Sequence, residues 1–221
     1  MAQRALASAA LAWLAATPAL AGQSPWSGAV VLQADIPVAG AVSAGAPGFS
    51  AAYGPARLAA IELQRRTGEQ GELLIALALA RAEGEPFAAR AGVQATARLT
   101  SLRAASLELG YRRRLLVFFA GFQPSLAVRA GLVRTEAIAE RSAQAGAAAT
   151  STGLTRDTTA LVLGADLGLA YQMGRASEIS VDIGLRYTGP LLADRSSGMG
   201  AGGGADGRLS LPVGVRLTTR F

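Results

Sequence analysis

Few side chains in this sequence could do chemistry. Its 221 residues include no Cys and no His. Without Cys there is no thiol nucleophile, disulfide or thiolate metal site. Without His there is no Ser-His or Asp-His pair and no imidazole ligand. Asp166 and Asp182 are the carboxylates whose spacing most invites a pairing, since two carboxyl groups across a cleft do acid–base work in glycosidases. Arg residues at similar depth would neutralise them, however, and that plainer reading is the stronger. The run GMGAGGGADG at Gly198 to Gly207 neither follows a buried parallel strand nor opens a helix, so it reads as a loop, not a phosphate cradle. All 21 cationic side chains are Arg and the formal net charge is +6. The Arg residues are scattered and not interleaved with aromatics, which argues against nucleic-acid binding. An enzyme is not expected, and no metal or cofactor is implied.

The elements that position these residues alternate with a period of two. From Arg208 to Phe221 the residues Leu209, Leu211, Val213, Val215, Leu217, Thr219 and Phe221 fall on one parity, and Ser210, Gly214, Arg216 and Arg220 on the other. This is a strand with one apolar face and one polar face. The same pattern predicts strands over Trp26 to Val38, Arg57 to Arg66, Glu72 to Ala82, Arg103 to Arg113, Ser125 to Thr135, Thr158 to Gln172 and Glu178 to Thr188. In the first of these the alternation is imperfect. Connections are long at Ala39–Ala56, Glu83–Leu102, Glu136–Asp157 and Gly189–Gly207, and short between the other pairs. Within the second long one, Val93 to Leu99 is a candidate strand extension; the third shows no periodicity. The run RRLLVFFAGFQP reads as a short but unusually apolar connection. Mean hydropathy is +0.32, yet after the N-terminus no apolar run approaches the roughly 20 residues of a spanning helix. An even number of strands, each about ten residues long, with long and short connections in alternation, is the pattern of a transmembrane β-barrel. The expected fold is therefore all-β: an eight-stranded antiparallel up-and-down barrel with four long external loops and three short periplasmic turns.

The tail resembles the C-terminal strand of bacterial outer-membrane β-barrels, which ends in Phe after apolar residues at every second position. Together, ISVDIGLRY (Ile179 to Tyr187), a long loop and PVGVRLTTRF resemble the last hairpin of the small OmpA-type and opacity-type barrels. The resemblance implies a single outer-membrane barrel domain over 22–221. It also implies that Val213, Val215, Leu217 and Phe221 form the signal read by the barrel-assembly machinery. Outer-membrane lipid and lipopolysaccharide would be its partners. The enzymes among such barrels lean on His, which this sequence lacks. Roles in the family range over envelope stability, adhesion and solute passage, so the fold leaves the function open. Trp26, Tyr111, Phe122, Tyr171 and Phe221 would lie at the inner water boundary, and Phe49, Tyr53 and Tyr187 near the outer one. Arg65, Arg66, Arg112, Arg113, Arg114 and Arg175 would form a basic inner rim.

An eight-stranded barrel is just wide enough for side chains to fill. The inward parity supplies Glu62, Glu108, Asp166 and Asp182, and against them Arg112, Arg129, Arg186 and Arg216. Strand order suggests the pairs Asp166–Arg186, Glu108–Arg129 and Asp182–Arg216. A structural or surface-interaction barrel with a filled core is the leading reading. The alternatives are a narrow pore for small or hydrophobic solutes and, more remotely, a secreted lipocalin-like ligand-binding barrel.

The N-terminus has one early charge (Arg4), an apolar run from Ala5 to Ala16 and an A-x-A site at Ala19-Leu20-Ala21. This is the pattern of a secretory signal peptide over residues 1–21. Cleavage is expected after Ala21. The mass of the purified protein's N-terminal peptide checks this, and a peptide retaining Trp13 would contradict export by this route.

Overall fold

The computed structural model describes residues 24–40, 48–88, 95–115, 121–144, 150–192 and 207–221. The expected signal peptide, Val93, residues 116–120 of the apolar connection and all but the last residue of Gly198 to Gly207 lie outside the described residues. In chain order the strands are β1 (Trp26–Ala39), β2 (Ala56–Arg66), β3 (Gly71–Ala82), β4 (Pro86–Ala88), β5 (Ala95–Leu99) and β6 (Leu102–Arg114). They continue with β7 (Phe122–Thr135), β8 (Ala139–Gln144), β9 (Thr150–Gly153), β10 (Thr158–Gln172), β11 (Ser177–Thr188) and β12 (Arg208–Arg220). A single helical turn, α1 (Phe49–Ala52), sits between β1 and β2.

The eight long strands close in the order β1-β12-β11-β10-β7-β6-β3-β2. Every pair is antiparallel, and β12 returns to β1 over the register Ser27↔Arg220 to Ala39↔Leu209. Closure satisfies the ladder of each strand and leaves no edge. The eight strand positions match those expected from parity; β7 differs most, starting at Phe122 instead of Ser125. In β1 the inward face carries Ala29 and Val31, while the outward face carries Gly28 and Ala34. That small chemical contrast is why its alternation is faint in the sequence.

The short turns place β2 and β3, β6 and β7, and β10 and β11 side by side. Gly68 (φ +145°) and Gly121 (φ +85°) lie in the first two turns, where the backbone takes a conformation that L side chains rarely adopt. Two of the long connections are not plain loops. β4, β5, β8 and β9 form a second antiparallel sheet, in the order β4-β5-β8-β9. The reading of Glu136–Asp157 as structureless is therefore corrected. The segment AERSAQ carries no apolar alternation for the sequence to show, and it pairs with β5 and β9 through its backbone. Leu102, expected at the end of a long connection, begins β6. The candidate extension from Val93 to Leu99 is a strand from Ala95, but it pairs in the second sheet.

Burial in the barrel is inverted relative to a water-soluble protein. Leu77, Leu107, Leu132, Leu167 and Val181 are all more than half exposed, while Glu62, Asp182 and Arg216 are 1–2% exposed. Outward residues continue from strand to strand: Ile61 is opposite Leu77, Leu77 opposite Leu107, Leu107 opposite Leu132 and Leu132 opposite Leu161. Such a belt is stable only against another apolar phase. At the short-turn end Phe122 and Tyr171 meet in a tilted ring pair with centroids 5.0 Å apart, and Arg65 lies over the Trp26 ring at 5.5 Å. Phe49 and Tyr53 are not boundary aromatics as expected; each is only 2% exposed and packs into a lid over the barrel mouth.

In a bilayer, Leu167→Arg is expected to cost about 2–4 kcal/mol near the midplane. Reversible unfolding in lipid vesicles checks it, with Leu167→Val as the control. Gly168 is no neutral comparison, because it faces inward and a Cβ there would run into the Asp182 carboxylate and Ser125.

Candidate functional site

The interior carries the charge. Glu62, on the inward parity of β2, is the centre of it. Its Oε1 accepts from Arg129 Nη1 at 2.6 Å, and its Oε2 lies 3.2 Å from Arg216 Nε and 3.7 Å from Arg112 Nη2. Gln64 Nε2 donates to the same Oε2 at 3.1 Å, and Ser27 Oγ donates to Gln64. Three guanidinium groups thus converge on one carboxylate from β6, β7 and β12. Arg129 also donates through Nε to Asp166 at 2.7 Å, and Arg216 lies 3.1 Å from Asp182 Oδ2. Each of these groups is costly to bury unless paired.

The sites expected from the sequence fall as follows. Glu62, Glu108, Arg112, Arg129, Asp166, Asp182, Arg186 and Arg216 all lie inside the barrel. Asp182 and Arg216 are partners. Asp166–Arg186 and Glu108–Arg129 are not: Asp166 goes to Arg129, and Arg186 reaches Glu108, which also accepts from Ser106 Oγ at 2.6 Å. Register explains the exchange. Asp166 stands directly opposite Gly184, Asp182 opposite Gly168 and Gly214, and Glu108 opposite Gly131. Arg129 stands opposite Gly110 and Gly164, and Gly164 also faces Arg186. Arg129, with glycine opposite it on both neighbouring strands, lies across the lumen and meets Glu62 and Asp166. A Cβ at Gly184 would meet the Asp166 carboxylate, and one at Gly131 would lie 2.7 Å from Glu108 Cα.

Several interior charges were missed. At the short-turn end Arg114 donates through Nε to Glu72 at 2.9 Å and through both terminal nitrogens to Glu178. At the opposite end Arg208 lies 3.3 Å from Asp35. Inward parity extended by one step reaches Glu72, Arg114, Glu178 and Arg208, so the signal was present at strand ends. Arg112 and Arg114 are consequently not part of an exposed basic rim; both are under 7% exposed.

Above Arg208 the mouth is closed by an apolar lid. Phe49, Tyr53, Leu99, Leu102, Ile138, Leu154 and Leu191 pack together from α1, the start of β6 and the long connections. Arg208 lies beneath the Phe49 ring at 5.5 Å, and the Tyr53 hydroxyl donates to the Thr100 carbonyl. Burial pushes the Tyr53 phenol well above its usual range. Among the described residues the voids inside the barrel are small. One lined by Val31, Leu58, Glu108, Arg129 and Arg186 has a volume of about 20 Å³, and one beside Asp35 and Arg208 about the same. Each has room for about one water molecule. Val213 and Val215 face outward, but the alternation of β12 fails at its end, where Thr218 and Thr219 are both buried.

The fold is that of the small eight-stranded outer-membrane barrels. Solved structures similar to it include the following two. Neisserial surface protein A aligns over 90% of this chain and 99% of its own, with 14% identity and a TM-score of 0.53. The outer membrane protein OprG from Pseudomonas aeruginosa aligns over 90% and 99%, with 10% identity and a TM-score of 0.51. No family model matches the chain, and no curated protein does. At these identities the likeness is one of fold.

Glu62→Ala leaves three guanidinium groups around an empty position and is expected to cost about 3–5 kcal/mol of unfolding free energy. In a cycle of Asp182→Ala and Arg216→Ala, the double variant should be more stable than the sum of the single losses by about 0.5–3 kcal/mol. Urea unfolding in vesicles measures both, and additivity would mean that this pair is not coupled.

Proposed function

We propose that this protein is a non-enzymatic integral outer-membrane barrel with a filled polar core, acting in envelope structure or surface interaction through its long connections. The carrying observation is the closed interior: charges cross-linked through Glu62 beneath an apolar lid. In this reading the chain is exported by its N-terminal signal peptide and received by the barrel-assembly machinery through its last strand. The long connections project outward and the short turns face the periplasm. Its lipid partners are the membrane phospholipids and lipopolysaccharide. The second sheet, built from the β3–β6 and β7–β10 connections, is then the surface presented to the exterior. A narrow channel is the rival reading, and the small voids of the lumen weigh against it.

The test is electrical. The purified protein in planar bilayers is expected to show little steady conductance. Large, stable unitary currents in the wild type would replace the filled core with a pore. Protease added to intact cells should cut near Arg141 or Arg156 and spare Arg65, Arg66 and Arg113; the reverse pattern would invert the topology. Arg195, a further expected cleavage site, lies outside the described residues.

A further inference from the structure

The outer wall carries a feature that neither the filled core nor the second sheet requires. Arg57, Arg81 and Arg103 stand directly opposite one another on β2, β3 and β6. All three point outward, at the upper limit of the apolar belt. Like charges directly opposite across strands repel, so this row is unfavourable unless an anion lies on it. Arg134 follows on β7, opposite Ala105. The nearby carboxylates offset the row only weakly: Arg81–Glu83 at 2.7 Å, Arg103–Glu136 at 3.7 Å and Arg134–Asp157 at 3.2 Å are all exposed pairs. Such pairs contribute little and exchange readily.

Arg81, Arg103 and Arg134 line a groove of about 730 Å³, and Arg57 stands beside it at the end of the row. Its floor is Leu79 and Ala105, which face each other across β3 and β6. Leu neighbours flank this level below, so a small residue at Ala105 opens the wall there. Glu136, Ala137 and Asp157 border the groove where β7 and β10 meet the second sheet. Asp157 is held in place there by the Ala137 amide at 2.9 Å and by Arg134, and these two donors keep its carboxyl below the ordinary range. Directly beneath, Leu77, Leu107 and Leu132 are exposed. The ligand that fits this arrangement has acyl chains for the belt and anionic oxygens for forked guanidinium donors. Arg57 to Arg103 spans two interstrand spacings, about 10 Å. One phosphate does not cover that distance, but a sugar headgroup with two phosphates does.

We infer that the groove beside Arg57, Arg81, Arg103 and Arg134 is a binding site for a bisphosphorylated glycolipid headgroup of the surrounding leaflet. This rests on the outer-membrane reading above and assigns that lipid a place on the wall.

The test uses the full mature protein in nanodiscs of neutral lipid, doped with lipid A carrying two phosphates, with its dephosphorylated form or with phosphatidylglycerol. Lipid retained by the protein is read by native mass spectrometry. The wild type should retain the bisphosphorylated lipid over both others. Arg57→Gln/Arg81→Gln/Arg103→Gln should lower that retention about tenfold, as should Ala105→Trp, which fills the groove without changing charge. Arg65→Gln/Arg113→Gln at the other rim should leave it unchanged. Retention independent of phosphate, or equal in all variants, would overturn the inference. Heat-modifiable gel mobility separates the two levels: loss of the mobility shift in the wild type sinks the barrel reading itself. A normal shift without lipid preference sinks only the groove.

Discussion

Glu62 is held by three guanidinium groups at a depth where almost no solvent reaches it. The rest of the structure depends on the constraint behind that contact. A barrel that turns its Leu and Val residues outward has little apolar material left for its own interior. Its core must be built from small residues and charges. Small residues alone would leave the lumen open, and isolated charges would be too costly to bury. Cross-linking resolves this. Each Arg that crosses the lumen ties together strands that are not neighbours in the sheet: Arg129 joins β7 to β2, and Arg216 joins β12 to β2. Closure of the sheet supplies the backbone ladder, and the charge network supplies the packing between opposite walls.

Glycines make room for part of that network. Asp166, Asp182, Glu108, Arg129 and Arg186 each face a glycine on the adjoining strand. Removing the directly opposed Cβ lets a long side chain lie flat across the interior instead of standing against its neighbour. Glycine in a strand interior normally weakens it. Here the loss is offset by ion pairs formed in the space the glycines leave. The lid is a different solution for a different place. Beyond the belt, the connections carry Phe49, Tyr53, Ile138 and Leu154, and an ordinary apolar cluster forms. The barrel therefore changes from a charged core to an apolar one along its axis, with Arg208 at the transition, bonded to Asp35 and covered by Phe49.

Much of this was legible in the sequence because parity in a barrel is a two-way code. Leu161, Leu163, Leu167 and Leu169 on one side of β10, with Gly164, Asp166 and Gly168 on the other, give strand, face and interior charge together. The same code places Glu62, Arg112, Arg129, Asp182 and Arg216 inside. It does not give partners. Pairing across a lumen is set by the strand stagger and by the reach of Arg, and neither is local. That is why Asp166–Arg186 was expected and Arg129 is found. The second sheet was hidden for another reason. Strands without an apolar face have no period to read, and AERSAQ and TSTG pair through backbone in a context that only the folded connections create. Phe49 and Tyr53 looked like boundary aromatics because composition does not distinguish a ring in lipid from a ring in a lid.

The claim that the wall is held from inside by the Glu62 cluster has a direct spectroscopic test. In micelles, the guanidinium protons of Arg129 and Arg216 should exchange with solvent far more slowly than those of Arg65 and Arg113 and should show through-space contacts to the Glu62 carboxylate carbon. Exchange as fast at Arg129 and Arg216 as at the exposed arginines, with no contact to Glu62, would mean that water fills the lumen and that the charges do not hold the barrel together.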